Sequence, residues 1–400
     1  MRLLRILWLP TDEGGCGWHR VRIWDKAINR LGIAESLVMQ PGESEEDAKK
    51  AIDYADVIVG RLNTFEYIRL IKQTWPNKVV VFDWDDNTLE TKPSNPSYQN
   101  FGVRDVWAEV KDVRETDYYK KASIGTRMKI DEMGMIPLWV TGITPGFNRF
   151  VNLEQHTNLI WCLQACNLAT SPTPVLTAMW DKYAEQSAVV SNCLDLSYYP
   201  DVEVKLKREK GEIRIGWSGG SSHSADWKSI MPTLRKLAKK HPIKLVVAGS
   251  YFPENFTDIE IEHHPWAKWE AHPYRMKLLD LDFALIPLAD DESFNSYKSE
   301  LKMMEFAALK VPMIVKDQLP YSPYIEGNAI GYKTPQDLEG AIERLIKNPG
   351  QKDMVKSAYK WVSEKRNVDL LAPDLIKLYA SLLPEKTREK IQTEPIEESK

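Results

Sequence analysis

Short, mainly apolar runs that alternate with amphipathic helical patterns constrain the fold of this chain more than any other feature. In the first half the runs are residues 3–9 (LLRILWL), 55–59 (ADVIV), 78–82 (KVVVF), 168–171 (LATS) and 189–192 (VVSN). Helical patterns occupy Trp18–Leu31, Phe65–Gln73 and Asn158–Ala165, and resume after Pro172. Runs this short and apolar read as strands covered on both faces. Strands separated by helices pair in parallel through right-handed crossovers. The pattern then begins again. Ile213–Trp217, Lys244–Ala248, Phe283–Ile286 and Val311–Val315 are strand-like, with helices over Trp227–Lys240, Tyr274–Leu279 and the stretch around Glu305. The expected fold class is α/β, with two Rossmann-like domains facing across a cleft.

Between the two alternations, Val202–Gly211 (VEVKLKREKG) is charged and has no apolar period, as a linker would. The expected organisation is an N-terminal domain over 1–200, a linker over 201–211, a C-terminal domain over 212–366 and a closing helix over 367–383. Amphipathic helices over Pro335–Ile346, Asp353–Ser363 and Leu370–Leu382 fit this plan. Residues 384–400 (PEKTREKIQTEPIEESK) are charged and nearly free of large apolar side chains, and read as a disordered tail.

Composition narrows the function classes. A net charge of −4 gives no global attraction to nucleic acid. Lys111, Arg114, Lys120, Lys121, Arg127 and Lys129 form a local basic cluster, whose plainer reading is a solvated helix face. Cys16, Cys162, Cys166 and Cys193 form no CxxC pair, so reduced thiols are expected rather than a metal site. No apolar stretch approaches the roughly 20 residues that span a bilayer, and no leader segment is visible, which makes a cytoplasmic location the expectation. Trp217, Trp227, Trp266 and Trp269 can stack on a sugar or base; the commoner role of Trp is core or interface filling.

Four sets of residues can carry chemistry. Gly14-Gly15-Cys16-Gly17 follows the first strand and opens a helix, so its backbone can approach a phosphate or sugar. His19 and Arg20 start that helix and face the same crevice. Gly219-Gly220-Ser221-Ser222-His223 repeats the arrangement in the second half. Neither loop is GxGxxG, and no acid on a second strand marks a dinucleotide site. Asp83, Asp85 and Asp86 follow a strand end, where carboxylates can hold a metal, bind hydroxyls, raise one another's pKa or simply cap a turn. Finally, Lys298-Ser299-Glu300 leads into a helix carrying one acid, Glu305. A lysine and a helix start form an anion site. The acid lies in an apolar stretch, where it needs a partner: a hydroxyl-rich ligand, or Lys302 at i−3.

These stretches resemble, in order, the GT-B glycosyltransferases of the large family 4 of retaining nucleotide-sugar enzymes, in the divergent form common in phage and bacterial genomes. The matching segments are Gly14–Arg20, Phe82–Asp86, Leu168–Thr173, Ser191–Asp195, Ile215–Gly220, Ile286–Leu288 and Phe294 through Lys298, Ser299, Lys302 and Glu305 to Pro312. The resemblance implies transfer of a sugar from a nucleoside-diphosphate sugar to an acceptor hydroxyl, with retention and without a metal or other cofactor. It implies donor binding by Gly219, Gly220, Ser221, Lys298, Ser299, Glu300 and Glu305, with Glu305 on the ribose. Lys298, Glu305 and His19 are the implied catalytic residues. Gly15, Gly17, Arg20, Asp83, Asp85 and Asp86 lie on the acceptor side. The acceptor itself stays open between glycan, lipid, protein and modified DNA. Two departures stand out: Tyr297 occupies a position where many relatives have an acid, and Ser221, Ser222, His223 and Asp226 replace a common Arg and Lys pair. Rival expectations are a DNA-base glycosyltransferase of phage type, a catalytically silent sugar-nucleotide-binding module and a two-domain binding protein.

Overall fold

Strand β1 (Arg2–Trp8) is the hub of the first sheet. It is followed by β2 (Ala34–Val38), β3 (Val57–Gly60) and β4 (Val79–Asp83). The structure, a computed structural model, describes residues 1–10, 12–91, 97–103, 107–109, 112–137, 147–205, 211–220, 223–249, 259–289 and 292–392. A separate compact unit, Asn87–Ile160, interrupts the first half. It contains the antiparallel pair β5 (Trp107–Glu109) and β6 (Met135–Pro137). The first sheet then resumes with β7 (Leu168–Ser171) and β8 (Ser187–Val189). Its parallel order runs β1-β3-β4-β7-β8, and β2 covers the outer edge of β1.

The second half supplies β9 (Ile213–Gly219), β10 (Ile243–Gly249), β11 (Glu260–His264), β12 (Phe283–Ile286), β13 (Met313–Lys316) and β14 (Ile330–Tyr332). They form a parallel sheet in the order β11-β10-β9-β12-β13-β14. β9 is buried along its whole length, as its apolar sequence requires. The helices Ser224–Ala238 and Pro335–Lys347 cover one face, and Leu301–Ala308 and Lys352–Lys365 the other. The chain therefore has the two Rossmann-like α/β halves expected of it.

The helix Val368–Ser381 leaves the second half and packs on the first. Val368, Ala372, Leu375, Ile376 and Tyr379 share one core with Leu4, Ile6 and Trp8. Each aliphatic side chain buried this way contributes roughly 1.5–3 kcal/mol, enough to bind the two halves through the C-terminal segment.

Several expectations are corrected. The strand expected over 189–192 lies at Ser187–Val189, and Val190–Asn192 leave the sheet. Within the expected tail, Glu385–Arg388 forms a helical turn and β15 (Ile391–Gln392) pairs in parallel with Arg2 and Leu3. Ile391 is buried there, so one apolar residue anchors an otherwise charged segment. Residues 393–400 lie outside the described residues, as do 206–210 of the linker. In the basic cluster, Arg114 pairs with Asp131, Lys120 with Glu115 and Lys121 with Asp117. Lys111 lies outside the described residues. Trp217 and Trp227 are core residues, whereas Trp266 is 38% exposed. The four cysteines are unpaired thiols. No helix among the described residues is long and apolar enough to cross a membrane.

Candidate functional site

The first glycine loop is positioned by β1 and runs into a wide helical turn, Trp18–Arg22, that turns His19 and Arg20 inward. Gly15 sits at a close approach of a different kind from the one expected. A Cβ there would lie 3.1 Å from Trp269 of the second half, so the bare backbone lets the two halves meet. Gly17 is buried where this turn begins. His19 is 3% exposed, with its ring 5.4 Å from that of Trp269 and its Nε2 3.8 Å from Glu305 Oε1. Burial, opposed by the backbone at Cys193, pushes the imidazole down to about 3, so His19 is neutral.

Arg20 and Asp83 form a buried pair. Arg20 Nε and Nη2 donate to the Asp83 carboxylate at 3.0 and 2.5 Å, and Thr170 Oγ1 donates to the same group at 2.7 Å. Nη1 donates to Val190 O and to Asn192 Oδ1. These side chains are saturated by one another, so their first role is to lock the strand ends. Asp85 pairs with Arg61, which follows β3. Burial would raise the Asp85 carboxyl, but Arg61 and Arg20 outweigh it and hold it low. Asp86, partly buried beside Asp85, goes the other way and is pushed up to about 6, with Lys298 opposing the rise. The three acids thus divide. Asp83 and Asp85 are neutralised by arginines, whereas Asp86 has no ion-pair partner among the described residues and feels the charge of Lys298.

On the other side, Gly219 ends β9 and Gly220 follows it; Ser221 and Ser222 lie outside the described residues. Gly249, at φ +137°, passes so close that a Cβ there would sit 2.0 Å from the Gly219 carbonyl oxygen. Beyond the loop, His223 Nδ1 lies 2.6 Å from Asp226 Oδ2, and Lys302 Nζ lies 2.8 Å from His223 Nε2. Asp226 is held in turn by the backbone N–H of Ala289 at 2.7 Å. Burial and the nearby Lys302 push His223 down to about 3. The neutral ring therefore donates from Nδ1 to Asp226 and accepts from the Lys302 ammonium at Nε2. Burial, then Lys298, pushes Lys302 itself down to about 8.

Lys298 is half-buried, with Nζ 5.4 Å from the Phe294 ring centre and no ion-pair partner among the described residues. Ser299 Oγ accepts a 2.7 Å bond from Asn192 Nδ2 of the first half. Glu300 is spent on Arg366, at 2.7 Å, and its side chain serves the fold rather than a ligand. Glu305 projects from the helix Leu301–Ala308 with its side chain 13% exposed. Burial, opposed by Lys302, drives its carboxyl up to about 7. With Trp18, His19, Tyr198, Trp269 and His272 it lines a small cavity of about 10 Å³, the space of one water. An open cleft of about 660 Å³ lies between Gly14, Gly15, Trp18 and Arg22 on one side and Trp266 and Trp269 on the other.

The structure thus gathers His19, Lys298, Ser299, Glu305 and both glycine loops at the facing carboxyl ends of two parallel sheets, where open α/β folds bind ligands. Sequence reasoning gave no role to Arg61, Asn192 or Thr173, nor to the Lys302–His223–Asp226 relay. The i, i+3 spacing of His223 and Asp226 at a helix start was the only available signal.

No protein-family model matches the sequence, and no curated protein matches it. Solved structures do. Sucrose-phosphate synthase from Thermosynechococcus elongatus is 12% identical, over 94% of this chain and 99% of that one, with a TM-score of 0.56. HepE from Anabaena, solved with UDP and glucose, is 11% identical over 94% and 100%, with a TM-score of 0.57. The catalytic domain of starch synthase IV from Arabidopsis thaliana, solved with ADP and acarbose, is 12% identical over 96% and 99%, with a TM-score of 0.56. The likeness spans both halves and establishes the fold: two Rossmann-like domains in the GT-B arrangement.

Proposed function

We propose that this chain is a glycosyltransferase of the retaining family 4 type, moving a sugar from a nucleoside-diphosphate sugar to an acceptor hydroxyl. The observation that carries the reading is the Lys302–His223–Asp226 relay beside Lys298, which has no ion-pair partner among the described residues. It sets Lys302, in the first turn of the helix Leu301–Ala308 and four residues past Lys298, against His223 beyond the glycine loop, with Glu305 one turn further along the helix. Two lysines suit a diphosphate and an acid suits ribose hydroxyls. The binding of UDP by HepE and of ADP by starch synthase IV supports a nucleotide as the ligand class.

In this reading the lysines and the helix start stabilise the charge that grows on the departing diphosphate. Asp86 faces that end of the cleft and binds the acceptor hydroxyl. No metal step is part of the mechanism, because lysines occupy the role a divalent cation would fill. Calorimetric titration with UDP and ADP tests the donor site: Lys298→Ala and Glu305→Ala should each weaken binding about tenfold or more. Unchanged affinity in both variants would sink the assignment. A second reading, a binding module without transfer activity, is favoured by Tyr297, which stands where many relatives have an acid. Hydrolysis or transfer from any nucleotide sugar by the wild-type chain excludes that reading.

A further inference from the structure

We propose that Asn192 is a positioning residue: it fixes the direction of the Ser299 hydroxyl, so that this group presents its proton to the diphosphate of the donor. The inference rests on the donor site described above and adds a residue from the opposite half of the molecule.

The argument is one of donors and acceptors. Asn192 is 5% exposed, and one end of its amide lies 3.0 Å from Arg20 Nη1. A guanidinium only donates, so that end must be the carbonyl oxygen and the other end the NH2 group. The NH2 group lies 2.7 Å from Ser299 Oγ and can only donate to it. Ser299 Oγ therefore accepts, and its own proton is turned away from Asn192. Ser299 is half-buried in the turn between Lys298 and the helix that starts at Leu301. In the proposal its proton points toward the Lys298 ammonium and the helix start, which favour an anion.

The amide cannot flip without breaking the Arg20 bond, and Arg20 cannot turn. Its guanidinium is held by both carboxylate oxygens of Asp83 and by Val190 O at 2.6 Å. A second bond fixes the same turn: Thr173 Oγ1 donates to Tyr297 O at 3.2 Å. The first half thus grips the donor turn at two points, one on the backbone and one on the hydroxyl. An oriented hydroxyl binds an anion without having to give up a competing bond when the ligand arrives.

The test is a double-mutant cycle on binding of UDP and ADP, with the thermal midpoint of each variant recorded alongside. Ser299→Ala should weaken binding about tenfold. Asn192→Ala should weaken it about three- to tenfold, because a freely rotating hydroxyl is no longer aimed. Asn192→Ala on the Ser299→Ala background should cost almost nothing more. If Asn192→Ala does not fold, Asn192→Asp keeps the Arg20 bond and captures the Ser299 proton; its loss should shrink when Ser299 is Ala. Additive losses, or wild-type affinity in the Asn192 variant, overturn the inference while leaving the donor site standing. Failure of the wild-type chain to bind either nucleotide overturns the donor site and the inference with it.

Discussion

Lys302 owes its behaviour to one neighbour and one field. Its Nζ shares a proton contact with His223 Nε2, while burial and Lys298 make its charge costly. A lysine pushed down to about 8 is charged below that pH and neutral above it. An anion requires the charged form. Affinity for a nucleoside diphosphate is therefore expected to fall toward about tenfold per pH unit above pH 8, beyond the range in which Glu305 and Asp86 change charge. Titrations at pH 7, 8 and 9 check this, and Lys302→Met should abolish the step; a profile that rises with pH would contradict it. At this scale the sequence shows which residues sit at element ends: Gly219 and Gly220 are legible from the strand they close, and Lys298 from the helix that follows it. It does not show partners. Asn192 and Ser299 are far apart in the chain, as are His223 and Lys302, so neither bond leaves a local signature. The fates of Asp83 and Asp85 were hidden for the same reason, since Arg20 comes from the first helical turn and Arg61 from the end of β3.

Most elements were legible because a strand buried on both faces and an amphipathic helix each carry their own periodicity. β9, β10, β12 and β13 fall within about two residues of the expected ends, the usual uncertainty of boundaries. The elements missed were those with weak or mixed patterns. β2 alternates buried and exposed residues at the sheet edge, and β15 is two residues long. The second of these has a measurable consequence. Ending the chain at Leu383 removes Ile391 from its buried place and the bonds to Arg2 and Leu3. The expected cost is roughly 1.5–3 kcal/mol, read as a lowered midpoint in denaturant unfolding. A truncated chain as stable as the full one would return the whole segment to a tail.

At the scale of the molecule, the Arg20–Asp83 pair joins parts of the chain that the sequence keeps far apart. It ties the first helix to the end of β4, to Thr170 on β7, to Val190 and, through Asn192, to the donor turn of the second half. Removing one partner leaves an uncompensated buried charge. Arg20→Met is expected to cost about 3–5 kcal/mol, and adding Asp83→Asn to restore part of it. Equilibrium unfolding checks both values, and a loss below about 1 kcal/mol for Arg20→Met would mean that Asp83 is relieved by water. The sequence by itself determined the two α/β alternations, the glycine loops after their first strands and the cationic turn before Glu305, because strand period, helix period and turn chemistry are local properties. Only the tertiary structure decided that Asn87–Ile160 is a compact unit of its own, that Val368–Ser381 returns to the first sheet, and that Asn192 aims Ser299. Those outcomes depend on which buried charges and apolar faces meet in space, and no periodicity in the chain records that.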